Sequence, residues 1–180
     1  VPGEVLRPLR GGDTLTTLVV LDRGGTRTSG MGQYSDAIRD AVGGFLEGVV
    51  GKTPGDRVTM IDSSGRNQDP RRLGPTDKAG DVKAFLASLP EPQGSGADVY
   101  GVAAMGLSEV DRAGTRLGAV IVISDGIDPA VEASPTASDN HKLFIREAKK
   151  RGIPVAAIHI SRFGEQRRDN ETKLRNGRAR

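Results

Sequence analysis

The sequence predicts one α/β domain in three layers. A mostly parallel central sheet carries helices on both faces and one short antiparallel edge strand. Three observations predict this. Strand-like and helix-like segments alternate along the 180 residues, as in successive βαβ units. Leu15–Leu21 (LTTLVVL), Leu117–Ser124 (LGAVIVIS) and Ile153–Ile160 (IPVAAIHI) are near-continuous apolar runs, as strands are when helices cover a parallel sheet from both sides. The length is one domain's worth, enough to bury roughly 70% of the unfolded surface.

The elements follow in order. Leu15–Leu21 reads as a buried strand ending in a polar, glycine-rich loop, Asp22–Gly32. Ser35 or Asp36 can cap a helix that carries Ile38, Val42, Phe45, Leu46 and Val49 at helical spacing. Thr53-Pro54-Gly55 punctuates the chain before a second strand, Arg57–Ile61. Residues 63–78 are turn-rich, with the antiparallel edge strand expected near 66–72. Asp81–Leu89 reads as a short helix stopped by Pro90 and Pro92, and Gly94–Gly96 as a loop. Val99–Val110 is a helix with Val99, Val102, Ala103, Leu107 and Val110 inward. Leu117–Ser124 is the strongest strand, ended by Asp125-Gly126. After a loop at Pro129–Ser138, Asp139 is expected to cap a helix through Arg151, with Leu143, Ile145 and Ala148 inward and Gly152 closing it. Ile153–Ile160 is expected as another buried strand. Residues 1–13 are expected as a lead-in, 14–161 as the domain, and 162–180 as a basic helix or tail.

Composition narrows the function. Apolar residues make up 36%, and adding the 25 glycines brings the chain into the globular range. Charged residues are 27% with a net charge of +3, unlike a disordered polyelectrolyte. No apolar run approaches the length of a membrane span. The absence of cysteine excludes a disulfide scaffold, a zinc ribbon and cysteine catalysis. Residues 162–180 hold seven basic side chains against three acidic ones, which leaves residues 1–161 at −1. Nucleic-acid binding would therefore rest on this tail alone, and six aromatics without tryptophan give little for bases to stack on. The first residue is Val1, consistent with an excised or processed segment. The oligomeric state is not legible.

In open parallel sheets, sites form in the loops beyond the carboxyl ends of the strands. Here these are Asp22–Gly32, Gly94–Asp98 and Asp125–Pro129. Asp22 and Asp125 each directly follow a buried strand. Two carboxylates on adjacent strand ends repel unless a cation or proton lies between them. Hydroxyls stand nearby in Thr26, Thr28, Ser29 and Ser95, and an oxygen set suits a hard ion such as Mg²⁺. The bland alternative is that Asp22 caps the next backbone turn and Asp125 makes an Asx-turn with Gly126.

The ordered series of strand, Asp, glycine/hydroxyl loop and helix, then Gly94-Ser95-Gly96-Ala97-Asp98 before a helix, then AVIVISDG, resembles a von Willebrand factor type A domain. Asp56–Ile61 and Ala148–Ile160 resemble that family's second strand and its late helix-to-strand passage, so the resemblance covers about residues 14–161. It implies a three-layer, Rossmann-like fold and a non-catalytic adhesion or recognition role. It also implies a metal-ion-dependent adhesion site built from an Asp-x-Ser-x-Ser loop, a Thr and a further Asp. Asp22, Thr26 and Asp125 match that pattern. Gly24 and Ala97 stand where ligands belong, so the site resembles a degenerate one, and Ser95 or Asp98 are the available substitutes. The implied partner is another protein, offering an acidic side chain to a divalent cation such as Mg²⁺, with no small-molecule substrate. Arg23, Arg27, Met31, Tyr34 and Asp128 would form the partner-facing loops. An arginine, Arg23 or Arg27, could instead fold back between the two acids and replace the ion. An exported or cell-surface bacterial protein is expected ahead of a cytoplasmic one.

Enzyme readings are weaker. VVLDRGGT also resembles the first motif of haloacid dehalogenase-type phosphotransferases, with Asp22 as nucleophile. Their acid/base stands two residues on, where this chain has Gly24. No GxGxxG, P-loop or GxSxG motif occurs. The two histidines, His141 and His159, read as an exposed helix-start residue and a sheet residue.

Overall fold

The structure, a computed structural model, describes residues 13–26, 29–63, 70–92, 99–113, 117–124 and 135–160. β1 (Leu15–Leu21), β4 (Arg57–Asp62), β5 (Arg71–Thr76), β6 (Leu117–Ser124) and β7 (Val155–His159) form one sheet in the order β5-β4-β1-β6-β7. All neighbours are parallel except β4 and β5. The expected antiparallel edge strand is therefore present, displaced to Arg71–Thr76. β2 (Gly25–Thr26) and β3 (Ser29–Gly30) make a two-residue ladder inside the first loop.

Strand alternation splits the core. On one face Val19, Leu21, Met60 and Ile123 pack against α1 (Ser35–Val49) and α2 (Ala79–Ala87) through Ile38, Val42, Leu46, Val82 and Phe85. On the other, Leu18, Val20, Ile61 and Val122 pack against α3 (Val99–Arg112) and α4 (Pro135–Lys150) through Val102, Leu107, Phe144 and Ala148. The result is a mixed, mostly parallel three-layer α/β fold. Gly106 lets α3 lie close to the sheet: a Cβ there would stand 2.5 Å from Leu18 Cδ2 and 2.9 Å from Ile61 Cδ1. Gly152, at φ 64, closes α4 as expected.

Four expectations need correction. α4 begins at Pro135 rather than at Asp139. Its inward residues are Phe144 and Ala148, whereas Leu143 and Ile145 are exposed. Residues 144 and 148 share a face, and 143 and 145 flank it by about 100° each. On α1, Phe45 and Val49 are exposed beside the buried Ile38, Val42 and Leu46. β7 is not buried: all five of its residues are exposed, because it is the outermost strand. Among the described residues, no helix is long and apolar enough to cross a membrane.

Candidate functional site

The parallel register decides which side chains meet at the carboxyl edge. Leu21 is level with Asp62 on β4 and with Ile123 on β6. One step further, the Asp22 N–H donates to the Ile123 carbonyl at 2.9 Å, and the Ser63 N–H donates to the Leu21 carbonyl at 2.9 Å. Ser63, Asp22 and Ser124 therefore form a second row just beyond the first. Successive side chains alternate faces, so Asp62 points towards α1 and α2 with Leu21 and Ile123. The second row points towards α3 and α4. Ser124 is also level with His159 on β7, which extends the polar row across four strands.

The Asp22 carboxylate, 3% exposed, is held in place. Its Oδ1 accepts from the Gly24 N–H at 2.9 Å, and its Oδ2 accepts from the Ser124 hydroxyl at 2.7 Å. The first bond is the local turn anticipated as the bland alternative, and it makes Gly24 a backbone donor where the resemblance has a hydroxyl ligand. The second ties β1 to β6. Ser63, on the other side of Asp22, is 1% exposed and its Oγ has no hydrogen-bond partner. Such orphaned buried hydroxyls are rare and costly.

Arg23 occupies the opposite face. Its Nε and Nη2 donate to Asp62 Oδ1 and Oδ2, each at 2.8 Å. Its Nη1 donates to Ser35 Oγ at 2.8 Å and to the Pro90 carbonyl at 3.1 Å. Both partners of the ion pair are 1% exposed. A bidentate fork of this kind is the strongest geometry an arginine offers a carboxylate. It joins the ends of β1 and β4 to the start of α1 and the chain after α2. The arginine does fold inward, but onto Asp62, the last residue of β4, one residue beyond the expected strand end at Ile61.

The other expected residues are placed as follows. Arg23 and Met31 are each 1% exposed, so neither can face a partner: one is consumed by Asp62 and the other by the α1-side core. Tyr34 is partly buried and lines an apolar groove of about 380 Å³ beside α1. Thr26 lies in β2. Arg27, Ser95, Asp98, Asp125 and Asp128 lie outside the described residues. The histidines come together unexpectedly: His141 of α4 and His159 of β7 line one hollow of about 210 Å³ with Ser124 and Tyr100. The Tyr100 and His141 rings are 4.5 Å apart. No group of three or more His, Cys, Asp or Glu is arranged to hold a metal among the described residues. The oxygens that are described there, one carboxylate flanked by two serine hydroxyls, have the chemistry of a hard-cation donor set, and the orphaned Ser63 Oγ is the atom such an ion would satisfy.

The sequence matches no protein-family model and no curated protein. Solved structures do match. Proximal thread matrix protein 1 from the mussel byssus is 17% identical over 83% of this chain and 39% of its own, with a TM-score of 0.60. A further structure of that protein, with a zinc-occupied MIDAS motif, has a TM-score of 0.56 at 16% identity over 82% of this chain and 36% of its own. The pilus adhesin SpaC from Lactobacillus rhamnosus GG is 18% identical over 66% of this chain and 15% of its own, at 0.52. The type V pili tip protein Mfa5 from Porphyromonas gingivalis is 14% identical over 64% of this chain and 20% of its own, at 0.50. This chain thus spans a fifth or less of the two pilus proteins. At these identities the likeness is one of fold, and the fold is that of the von Willebrand factor type A domain.

Proposed function

We propose that this chain is a non-catalytic protein-recognition module that engages its partner at the carboxyl edge of the sheet, on the side of α3 and α4, with a divalent cation at Asp22 as part of the contact. The observation that carries the reading is the row of Ser63, Asp22 and Ser124, in which a buried carboxylate stands between two hydroxyls and one hydroxyl is unpartnered. Asp22 would supply a carboxylate oxygen, and Ser63 and Ser124 hydroxyl oxygens. Thr26 and Asp125 are the further ligands the sequence resemblance implies. An all-oxygen set of this size suits Mg²⁺ or Mn²⁺ with waters retained. When bound, the ion supplies a positive charge that an acidic side chain of a partner can reach.

Kinship of fold with a pilus adhesin and a pili tip protein supports an adhesive role and a location outside the cell. The zinc-occupied motif in the byssus protein supports a divalent cation. The phosphotransferase reading gains nothing from the geometry, because its acid/base position is Gly24, whose N–H is bonded to Asp22 itself. Thermal unfolding with and without millimolar Mg²⁺ or Mn²⁺, after chelation, tests the proposal. A ligand at 100 times its dissociation constant adds about 2.7 kcal/mol to the native state. The midpoint should rise in the parent and stay fixed in Asp22→Ala and in Asp22→Ala with Asp125→Ala. An equal rise in all three would place the ion elsewhere and end the proposal.

A further inference from the structure

The two edges of the sheet are finished differently. β5 closes one of them antiparallel and carries Arg71, Arg72 and Pro75, the charged and proline-bearing kind of edge that discourages further pairing. β7 closes the other with Val-Ala-Ala-Ile-His, all exposed. Among the described residues β7 pairs with β6 alone. The Val120 N–H donates to the Pro154 carbonyl, and the Ile160 N–H donates to the Ser124 carbonyl. Backbone groups that face a parallel neighbour alternate along the strand, so Ala156 and Ile158 also bond towards β6. The amides and carbonyls of Val155, Ala157 and His159 therefore point outward.

Apolar hollows flank this strand on both faces. Phe45, Ile121, Ile158 and Ile160 line the one beside α1, of about 380 Å³. Phe144, Val155, Ala157 and His159 line part of the one beside α3 and α4, of about 210 Å³. A strand laid against β7 would drop alternate side chains over the two hollows. Among the described residues, the charges at the turn before β7 that lack an ion-pair partner are basic. Lys149 and Lys150, just before β7, are exposed and have no ion-pair partner among the described residues. The acids within reach of that turn, Asp111 and Glu147, are paired with Arg151 at 3.0 and 3.7 Å. Arg162, Arg167 and Arg168 follow β7 in the sequence.

We propose that the outer edge of β7 is a strand-addition site for an extended segment of a partner protein, apolar at alternate positions and acidic at its ends. Charge selects this occupant. A second copy would bring a β7 whose flanks in the sequence are basic on both sides, Lys149 and Lys150 before it and Arg162, Arg167 and Arg168 after it. The chain's own ends are no better suited: residues 1–12 hold Arg7 and Arg10 against Glu4, and residues 162–180 are strongly basic. The backbone pairing needs no cation at Asp22, although Ser124 lines the hollow on the α3 and α4 side as well.

Fluorescence anisotropy with a labelled peptide, Asp-Glu-Val-Thr-Val-Thr-Val-Glu-Asp, tests this on the full chain. Saturable binding is expected, weakened by added salt and by Lys149→Glu with Lys150→Glu. Ala157→Pro removes an outward N–H and leaves the bonds of Ala156 and Ile158 to β6 in place, so it should weaken binding at least tenfold. Should that variant not fold, the same peptide N-methylated at alternate residues, which cannot complete the ladder, should bind the parent at least tenfold more weakly. Absence of saturable binding, or unchanged affinity in a folded Ala157→Pro protein, overturns the proposal. So does a parent that light scattering finds dimeric and Ala157→Pro renders monomeric, which would give the edge to a second copy. Slow hydrogen exchange at the outward amides of the isolated chain would give it to the chain's own segments, with the same consequence.

Discussion

Asp22 and Asp62 end adjacent strands, are both nearly inaccessible to water, and differ by a single step in register. That step sends them to opposite faces of the sheet. Asp62 faces α1 and α2, where the guanidinium of Arg23 engages both its oxygens. Asp22 faces α3 and α4 and is held by a backbone N–H and a serine hydroxyl, beside a second serine whose hydroxyl is unpartnered. Burial and residue type are the same, so neither tells a clamp from a site. The difference lies in the described partners: Asp62 meets a guanidinium on both its oxygens, whereas Asp22 meets a backbone N–H and a serine hydroxyl.

The largest expected effect breaks the clamp. Arg23→Met leaves Asp62 buried without its cation and should cost about 3–5 kcal/mol in denaturant unfolding. Adding Asp62→Leu should recover most of that loss, since an apolar pair of similar volume can replace a buried ion pair. A loss below 1 kcal/mol for Arg23→Met would mean that the pair is not the clamp described. Asp22→Ala, measured without divalent ions, should cost about 1–3 kcal/mol, because the Gly24 N–H and the Ser124 hydroxyl lose their acceptor. Equal losses for Asp22→Ala and Arg23→Met would erase the contrast between the two acids. Ser63→Ala should be the mildest change, within about 1 kcal/mol and of either sign, since it removes an unsatisfied hydroxyl. Its signature lies in cation titration, where it should weaken Mn²⁺ binding although the folded protein is no less stable.

Much of this arrangement was legible in the sequence. The apolar runs Leu15–Leu21 and Leu117–Ser124 are strands at those limits, and α3 begins at Val99 as its periodicity indicates. Apolar composition, however, does not say where in a sheet a strand lies, and among the described residues Val155–His159 is an exposed edge strand. On the site, Asp22 was found by its place after a strand. Asp62 carries the same signal, an apolar run ending in Asp, but its role depends on Arg23, which no local pattern links to it. With Asp62 unrecognised, Arg23 had no visible reason to be inside. His141 and His159 meet only through tertiary packing, since they lie on different elements and no local pattern links them.

The most direct test of the account is to locate the ion itself. Crystals grown with millimolar Mn²⁺ and measured for its anomalous signal should show a single strong peak on the α3 and α4 side of the sheet, within coordination distance of an Asp22 carboxylate oxygen and beside Ser63 Oγ. No peak there at that concentration, or a peak against Asp62 in place of Arg23, would contradict the assignment of a closed clamp on one face and an ion-binding recognition edge on the other.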